Sequence, residues 1–205
     1  MDAFRSFTAV AAPYEPVNVD TDQILPARFL KMPRGGGRHY GGYLFHDLRI
    51  ADDGSEIPDF VLNRPGFRDA RILVGNSNFA CGSSREGAAY AFLDAGFRSI
   101  VAPSFSDIFF NNCLKNGIVP VRLDDASCAD LRAQLAARPG STVTVDLERE
   151  VLRAPDGREH RFEIDGFFRE MLLKGVDEVG LTLGLQDEIA AYERRHAAAA
   201  PWATR

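Results

Sequence analysis

The chain has 205 residues, 45% of them hydrophobic and 26% charged, enough to bury a core without disulfides or metal. A formal net charge of −5 argues against a nucleic-acid partner, since phosphate binding usually needs a basic face, and no apolar run reaches the length of a membrane span. The opening MDAFRSFTAVAAPYEP lacks the basic and apolar regions of a secretory signal, so a soluble protein of the cytoplasm is expected. Cys81, Cys113 and Cys128 form neither a C-x-x-C pair nor an iron–sulfur run and read as reduced thiols.

Residues 6–14, SFTAVAAPY, open with a β-like run. VNVDTDQILPARFL passes from a polar turn into an amphipathic segment, where Asp20 and Thr21 bond nearby backbone and cap the residues after them. The stretch 31–42, KMPRGGGRHYGG, combines five glycines with Lys31, Arg34 and Arg38. It is expected to be a mobile, positively charged loop that neither stays helical nor packs a core. No Gly-Lys-Ser/Thr closes it, so it is not a P-loop. Ile72, Leu73 and Val74, bounded by Gly75, suit a buried strand. Residues 88–93 read as helix and 99–103 as a second buried strand. SFSDIFFNNCLKNG is the next helix, with Ser106 at its N-cap and Gly117 past its end, and 118–123 is a third apolar strand. This alternation implies a mostly parallel sheet.

From Asp124 the pattern changes. DDASCADLRAQLAAR reads as a helix, and STVTVDLEREVLRAPDGREHRFEI as paired antiparallel strands turning at APDG. DGFFREMLLKG is a helix ended by Gly175. DEVGLTLGLQDEIAAYERRH is one last helix weakened by two glycines, with a frayed tail from about 197. Composition does not split the chain, so residues 1–205 are expected to form a single domain with an extension from about 124.

The chemistry concentrates in NFACGSSREGAAYAF, residues 78–92. Ser83-Ser84-Arg85-Glu86 fits the capping box, in which Ser83 Oγ accepts from the Glu86 N–H and Glu86 reaches back to the Ser83 N–H. A strand that turns through glycine into a helix also exposes N–H groups that attract anions. Arg85 in a first turn opposes the helix dipole unless it grips a carboxylate or phosphate. Donors that cap the helix would also stabilise a Ser83 alkoxide, so the two readings are compatible. A serine hydrolase elbow does not fit. Ser83 is flanked by Cys81 and Arg85, and Ser84 by Gly82 and Glu86. None of His39, His46, His160 and His196 stands in a triad context.

Four segments in order, NVDTDQILPARFLK, PDFVLNRPGF, FACGSSREGAAYAF and GFRSIVAPSFSDIFFNNCLKNGIVPVRL, resemble the swivel-domain subunits of the aconitase superfamily. They are most similar to the small subunits of 3-isopropylmalate dehydratases. The resemblance implies an α/β fold, the aconitase-type swivelling β/β/α domain with a partly parallel sheet flanked by helices. It implies a hydro-lyase subunit that isomerises a small hydroxy-di- or tricarboxylate by dehydration and rehydration, here 2-isopropylmalate and 3-isopropylmalate in leucine biosynthesis. It further implies that this chain binds no cofactor and that a [4Fe–4S] cluster sits on a separate large partner subunit. By motif position Ser83 is the base that removes the proton, and Arg85 binds substrate carboxylate with Ser84 beside it. The loop 31–42 matches one linked to substrate selection. On physical grounds Arg34 and Arg38 would add charge when the loop closes, with Arg34 a candidate substrate ligand, and Asp20, Thr21 and Asp22 would help shape the cleft, Thr21 and Asp22 as candidate substrate contacts.

One position departs from the pattern. The family motif often continues with histidine where this chain has Gly87, which costs about 1 kcal/mol relative to alanine in a first turn and removes any proton relay. Homoaconitase-, citraconate- and dimethylmalate-type subunits stay open as alternatives, as does a non-catalytic anion-binding module.

Overall fold

The computed structural model describes residues 1–203. Uninterrupted apolar runs suit strands covered on both faces, and these runs build the parallel half of the sheet. Strands β1 (Ser6–Pro13), β2 (Ile72–Val74), β3 (Ser99–Ala102) and β4 (Val119–Arg122) pair as parallel neighbours. On the other edge of β1, β5 (Thr142–Asp146), β6 (Val151–Arg153) and β7 (Glu159–Arg161) add antiparallel. The result is one seven-stranded sheet, ordered β4-β3-β2-β1-β5-β6-β7. The mixed sheet flanked by helices agrees with the fold class expected from sequence.

Strand side chains alternate between the faces, and the alternation sorts two cores. Ala12, Leu73 and Ile100 enter one cluster, whereas Ala11, Ile72, Val74 and Val101 enter the other. The first cluster is rich in rings, among them Phe45, Phe79, Phe92 and Phe109. It lies under the long segment between β1 and β2, which carries α1 (Thr21–Ile24), α2 (His46–Arg49) and three short 3-10 turns, and under α3 (Gly87–Asp94). α4 (Asp107–Lys115) sends Phe109 and Cys113 into this cluster and Leu114 into the other. The second cluster is mainly aliphatic, built from Leu131 and Leu135 of α5 (Asp125–Ala137), Val143, Val145 and Leu152, and Leu172 of α6 (Gly166–Lys174).

The helix ends have local causes. Asp124 Oδ1 accepts from the Ser127 N–H at 2.8 Å and caps α5, and α6 closes at Gly175 as expected. Ser106 stands at the start of α4, but its hydroxyl makes no cap bond. The expected single C-terminal helix is two, α7 (Glu178–Leu183) and α8 (Gln186–Ala199), broken at Gly184 and Leu185. α8 runs past position 197, where fraying was expected, to Ala199. Val179, Leu183, Leu185 and Tyr192 of this segment stand exposed. Among the described residues no helix is long and apolar enough to cross a membrane.

Candidate active site

Ligands of parallel sheets collect beyond the carboxyl ends of the strands, and the 78–86 segment lies there, after β2. Its backbone is unusual. Asn78 (φ 56°), Ala80 (φ 58°) and Gly82 (φ 98°) all sit in the left-handed region. For Ala80, which carries a Cβ, this costs about 1–2 kcal/mol. Neighbouring chain segments hold it in place. Cys81 N–H donates to Val19 O at 2.9 Å, Thr21 N–H to Cys81 O at 2.9 Å, and Phe79 N–H to Ser104 O at 2.9 Å. Strain held this firmly by its surroundings is characteristic of functional sites.

Gly82 is required by close approach. A Cβ there would lie 1.9 Å from Asp20 Oδ2. Asp20 in turn caps α1, its Oδ1 accepting from Asp22 N–H at 2.6 Å, while Gln23 Oε1 accepts from Asp20 N–H at 2.9 Å. The segments around positions 20 and 82 therefore lock together.

Ser83 is half-buried in this junction. Its Oγ lies 2.7 Å from Thr21 Oγ1 and accepts from Arg85 Nε at 3.1 Å and from the Arg85 backbone N–H at 3.4 Å. Arg85 Nη2 donates to Asp22 Oδ1 at 2.5 Å. Nη1 makes no hydrogen bond among the described residues and is free to meet a carboxylate. Thr21 is only 2% exposed, so it touches Ser83 from beneath, while the Asp22 and Ser84 side chains reach solvent. Four of the expected site residues, Ser83, Arg85, Thr21 and Asp22, thus form one connected cluster, with Ser84 adjacent to it.

Two sequence expectations fail here. The capping box does not form, because residues 83–85 are non-helical and α3 starts only at Gly87. Glu86 Oε1 instead accepts from Asn116 Nδ2 at 2.6 Å, tying the motif to α4. Accordingly, the donors that converge on Ser83 Oγ are not helix amides. They are the Arg85 N–H and Nε–H, with the Thr21 hydroxyl as the third neighbour.

The stretch 31–42 is also not the unpacked loop expected. Gly35 and Arg38 exchange backbone bonds of 2.9 and 3.1 Å, closing a tight hairpin with Gly36 and Gly37 at its tip. Tyr40 is buried, and its hydroxyl donates to Met32 O at 2.9 Å. Arg34 is placed outside the Ser83 cluster. Its Nε and Nη2 grip Asp94 at 2.9 and 2.7 Å, and its guanidinium lies 4.1 Å from the Tyr90 ring centre.

Asp94 escaped sequence reasoning. The available signal was an acid in the last turn of a helix, where the dipole disfavours negative charge. Burial pushes its carboxyl upward, but hydrogen bonds from Arg34 and the Tyr40 N–H, with the Arg34 charge, outweigh it and hold it below the usual value.

Gly87 takes on a different meaning. A Cβ at this position would lie 2.4 Å from Leu30 Cδ2 and 3.0 Å from Leu25 Cδ2. A side chain there emerges into an aliphatic contact, so a relay residue would first have to displace Leu30.

The thiols do not form a cluster-binding set. Cys113 and Cys128 are buried and their thiols are pushed up by burial, Cys128 to about 12. Among the described residues no group of three or more His, Cys, Asp or Glu side chains is placed to hold a metal. The residues present do not fit an iron–sulfur cluster.

Comparison with known proteins places these observations in a family. The aconitase C-terminal domain model matches residues 1–126 and the LeuD_N model residues 129–166. The model for the C-terminal domain of the 3-isopropylmalate dehydratase small subunit matches residues 178–205. The 3-isopropylmalate dehydratase small subunit of Paramagnetospirillum magneticum is 48% identical over 98% of this chain and 100% of its own length. That of Rhodospirillum centenum is 49% identical over 99% of each chain. That of Brevibacillus brevis is 45% identical over 95% of this chain and 100% of its own. The crystal structure of a 3-isopropylmalate dehydratase from Methanocaldococcus jannaschii shares the fold, with a TM-score of 0.63 at 22% identity, covering 92% of this chain and 99% of that one.

Proposed function

The chain belongs to the 3-isopropylmalate dehydratase small-subunit family, and from that premise we propose that it is the small subunit of a two-chain hydro-lyase interconverting 2-isopropylmalate and 3-isopropylmalate in leucine biosynthesis. The observation that supports a catalytic role for this chain is the environment of Ser83 Oγ, with Thr21 Oγ1 at 2.7 Å and two Arg85 donors at 3.1 and 3.4 Å.

A neutral serine is a poor base, and preorganised donors with a cation lower the cost of its alkoxide. As alkoxide, Ser83 takes the proton from the carbon next to a substrate carboxylate. The C–H electron pair becomes the C=C bond, and the hydroxyl on the neighbouring carbon leaves as water with a proton supplied from outside this chain. Readdition of water in the opposite sense, with Ser83 returning its proton, gives the isomer. Arg85 holds a substrate carboxylate through its free Nη1, and Asp22 fixes the other edge of the guanidinium. Ser84 lines the opening.

The large subunit is the proposed partner. The [4Fe–4S] cluster proposed on it would bind the departing hydroxyl. On the same reading residues 1–205 work as one swivelling domain, located in the cytoplasm.

The test is reconstitution with a cluster-bearing large subunit, assayed against isopropylmalate, citraconate and homoaconitate. Activity on isopropylmalate that needs both chains, and falls by about 10²–10⁴ in Ser83→Ala, is expected. Turnover of only another acid refutes the substrate, and unchanged turnover in Ser83→Ala refutes the base.

A further inference from the structure

Helix α3 is held by the glycine-rich hairpin at the end opposite the Ser83 cluster. Asp94, its last residue, meets both arms of that hairpin. On the entering arm, Arg34 donates two bonds to the carboxylate, at 2.9 and 2.7 Å. On the leaving arm, the Tyr40 N–H donates to Oδ2 at 2.7 Å. The next residue, Gly41, packs against the helix end so closely that a Cβ would lie 2.5 Å from Asp94 O. Between the arms, Gly35, Gly36 and Gly37 have nothing within 4 Å of an added Cβ. With open space around its glycines, the tip is placed through its arms, which Asp94 joins to the helix and the buried Tyr40 anchors in the core.

The charge balance points the same way. Arg34 is matched by Asp94, whose side chain is 10% exposed. Arg38, in the same hairpin, is exposed and has no ion pair among the described residues. With Lys31, also exposed and without an ion pair among the described residues, it is a cation left to meet a polyanion. Glu86, just before α3, and Tyr90 and Asp94 within it follow at four-residue spacing along one side, and Arg34 stacks on Tyr90 while Glu86 belongs to the Ser83 motif.

We propose that Asp94 is a positioning residue: by clamping both arms of the 34–41 hairpin to α3 it sets where the hairpin meets the substrate, and Arg34 serves that clamp rather than the substrate. The proposal rests on the dehydratase reading above and assigns Asp94 no contact with the reacting atoms.

The test uses the full-length chain, alone and reconstituted with the large subunit. Asp94→Asn removes the charge and one acceptor, and Arg34→Gln removes the other partner from an exposed position. In each, tryptic cleavage after Arg38 is expected to accelerate about tenfold, and KM for isopropylmalate to rise about tenfold with kcat within about twofold. The double variant is expected to match Asp94→Asn alone, since both changes open one clamp. Unchanged cleavage in both single variants overturns the proposal. A further loss of about tenfold in KM in the double variant also overturns it, because Arg34 would then bind substrate directly. If the wild-type pair shows no dehydratase activity, the functional reading fails, and the cleavage comparison still decides the clamp.

Discussion

The two faces of the sheet are built by different rules. One face carries α5 and α6 in a mainly aliphatic core with regular elements. The other carries short helices, 3-10 turns, left-handed residues and a cluster of phenylalanines, with the Ser83 cluster at its edge. Regular elements satisfy their own backbone, so aliphatic side chains suffice to hold them. Irregular backbone needs large rigid rings to fill uneven space, and edge-to-face pairs such as Phe45–Phe92 (5.7 Å, 85°) supply them. The first face is a scaffold, and the second turns backbone freedom into a site.

Substitutions on each face test that division. Leu131, fully buried in the aliphatic core, is the scaffold probe. Leu131→Ala is expected to cost about 2–5 kcal/mol of stability, read as a fall in Tm of roughly 4–20 °C, with kcat/KM unchanged in protein that remains folded. A comparable loss of kcat/KM would break the comparison. Gly82→Ala probes the other face. It places a Cβ on the Asp20 carboxylate and strains a left-handed backbone, so it is expected to cost about 1–3 kcal/mol. Turnover should fall at least tenfold even below the melting transition, because the Asp20 and Ser83 segments separate. Thr21→Val is the smallest and sharpest of the three. The isosteric change removes one partner of Ser83 Oγ, worth about 1 kcal/mol. A drop of several-fold in kcat with KM and Tm nearly unchanged is expected, and an unchanged kcat would detach Thr21 from the chemistry.

The same division explains what was legible in advance. Runs such as Ile72–Val74 announce buried strands because no polar residue interrupts them, and APDG announces its turn by composition. The motif around Ser83 was legible as residue types. Its geometry was not, because S-x-x-E has one local meaning only if the backbone enters a helix at once. Here left-handed turns at Ala80 and Gly82 delay that entry to Gly87. Thr21 and Asp22 lie 62 and 63 positions from their partners Ser83 and Arg85, a separation that no local pattern encodes. The glycine-rich stretch misled for a related reason. Glycine content reports conformational freedom, whereas this segment is tied down by the buried Tyr40 and by a carboxylate 54 and 60 positions away.

Helix α3 spans eight residues, about 12 Å at 1.5 Å per residue. It is therefore a ruler, with Ser83 just before one mark and the hairpin fixed at the other. A substitution that slides α3 on the sheet displaces both marks by the same amount and in the same direction. Placement errors at Ser83 and at the hairpin are correlated, so their separation tolerates drift in the underlying core better than independently mounted parts would.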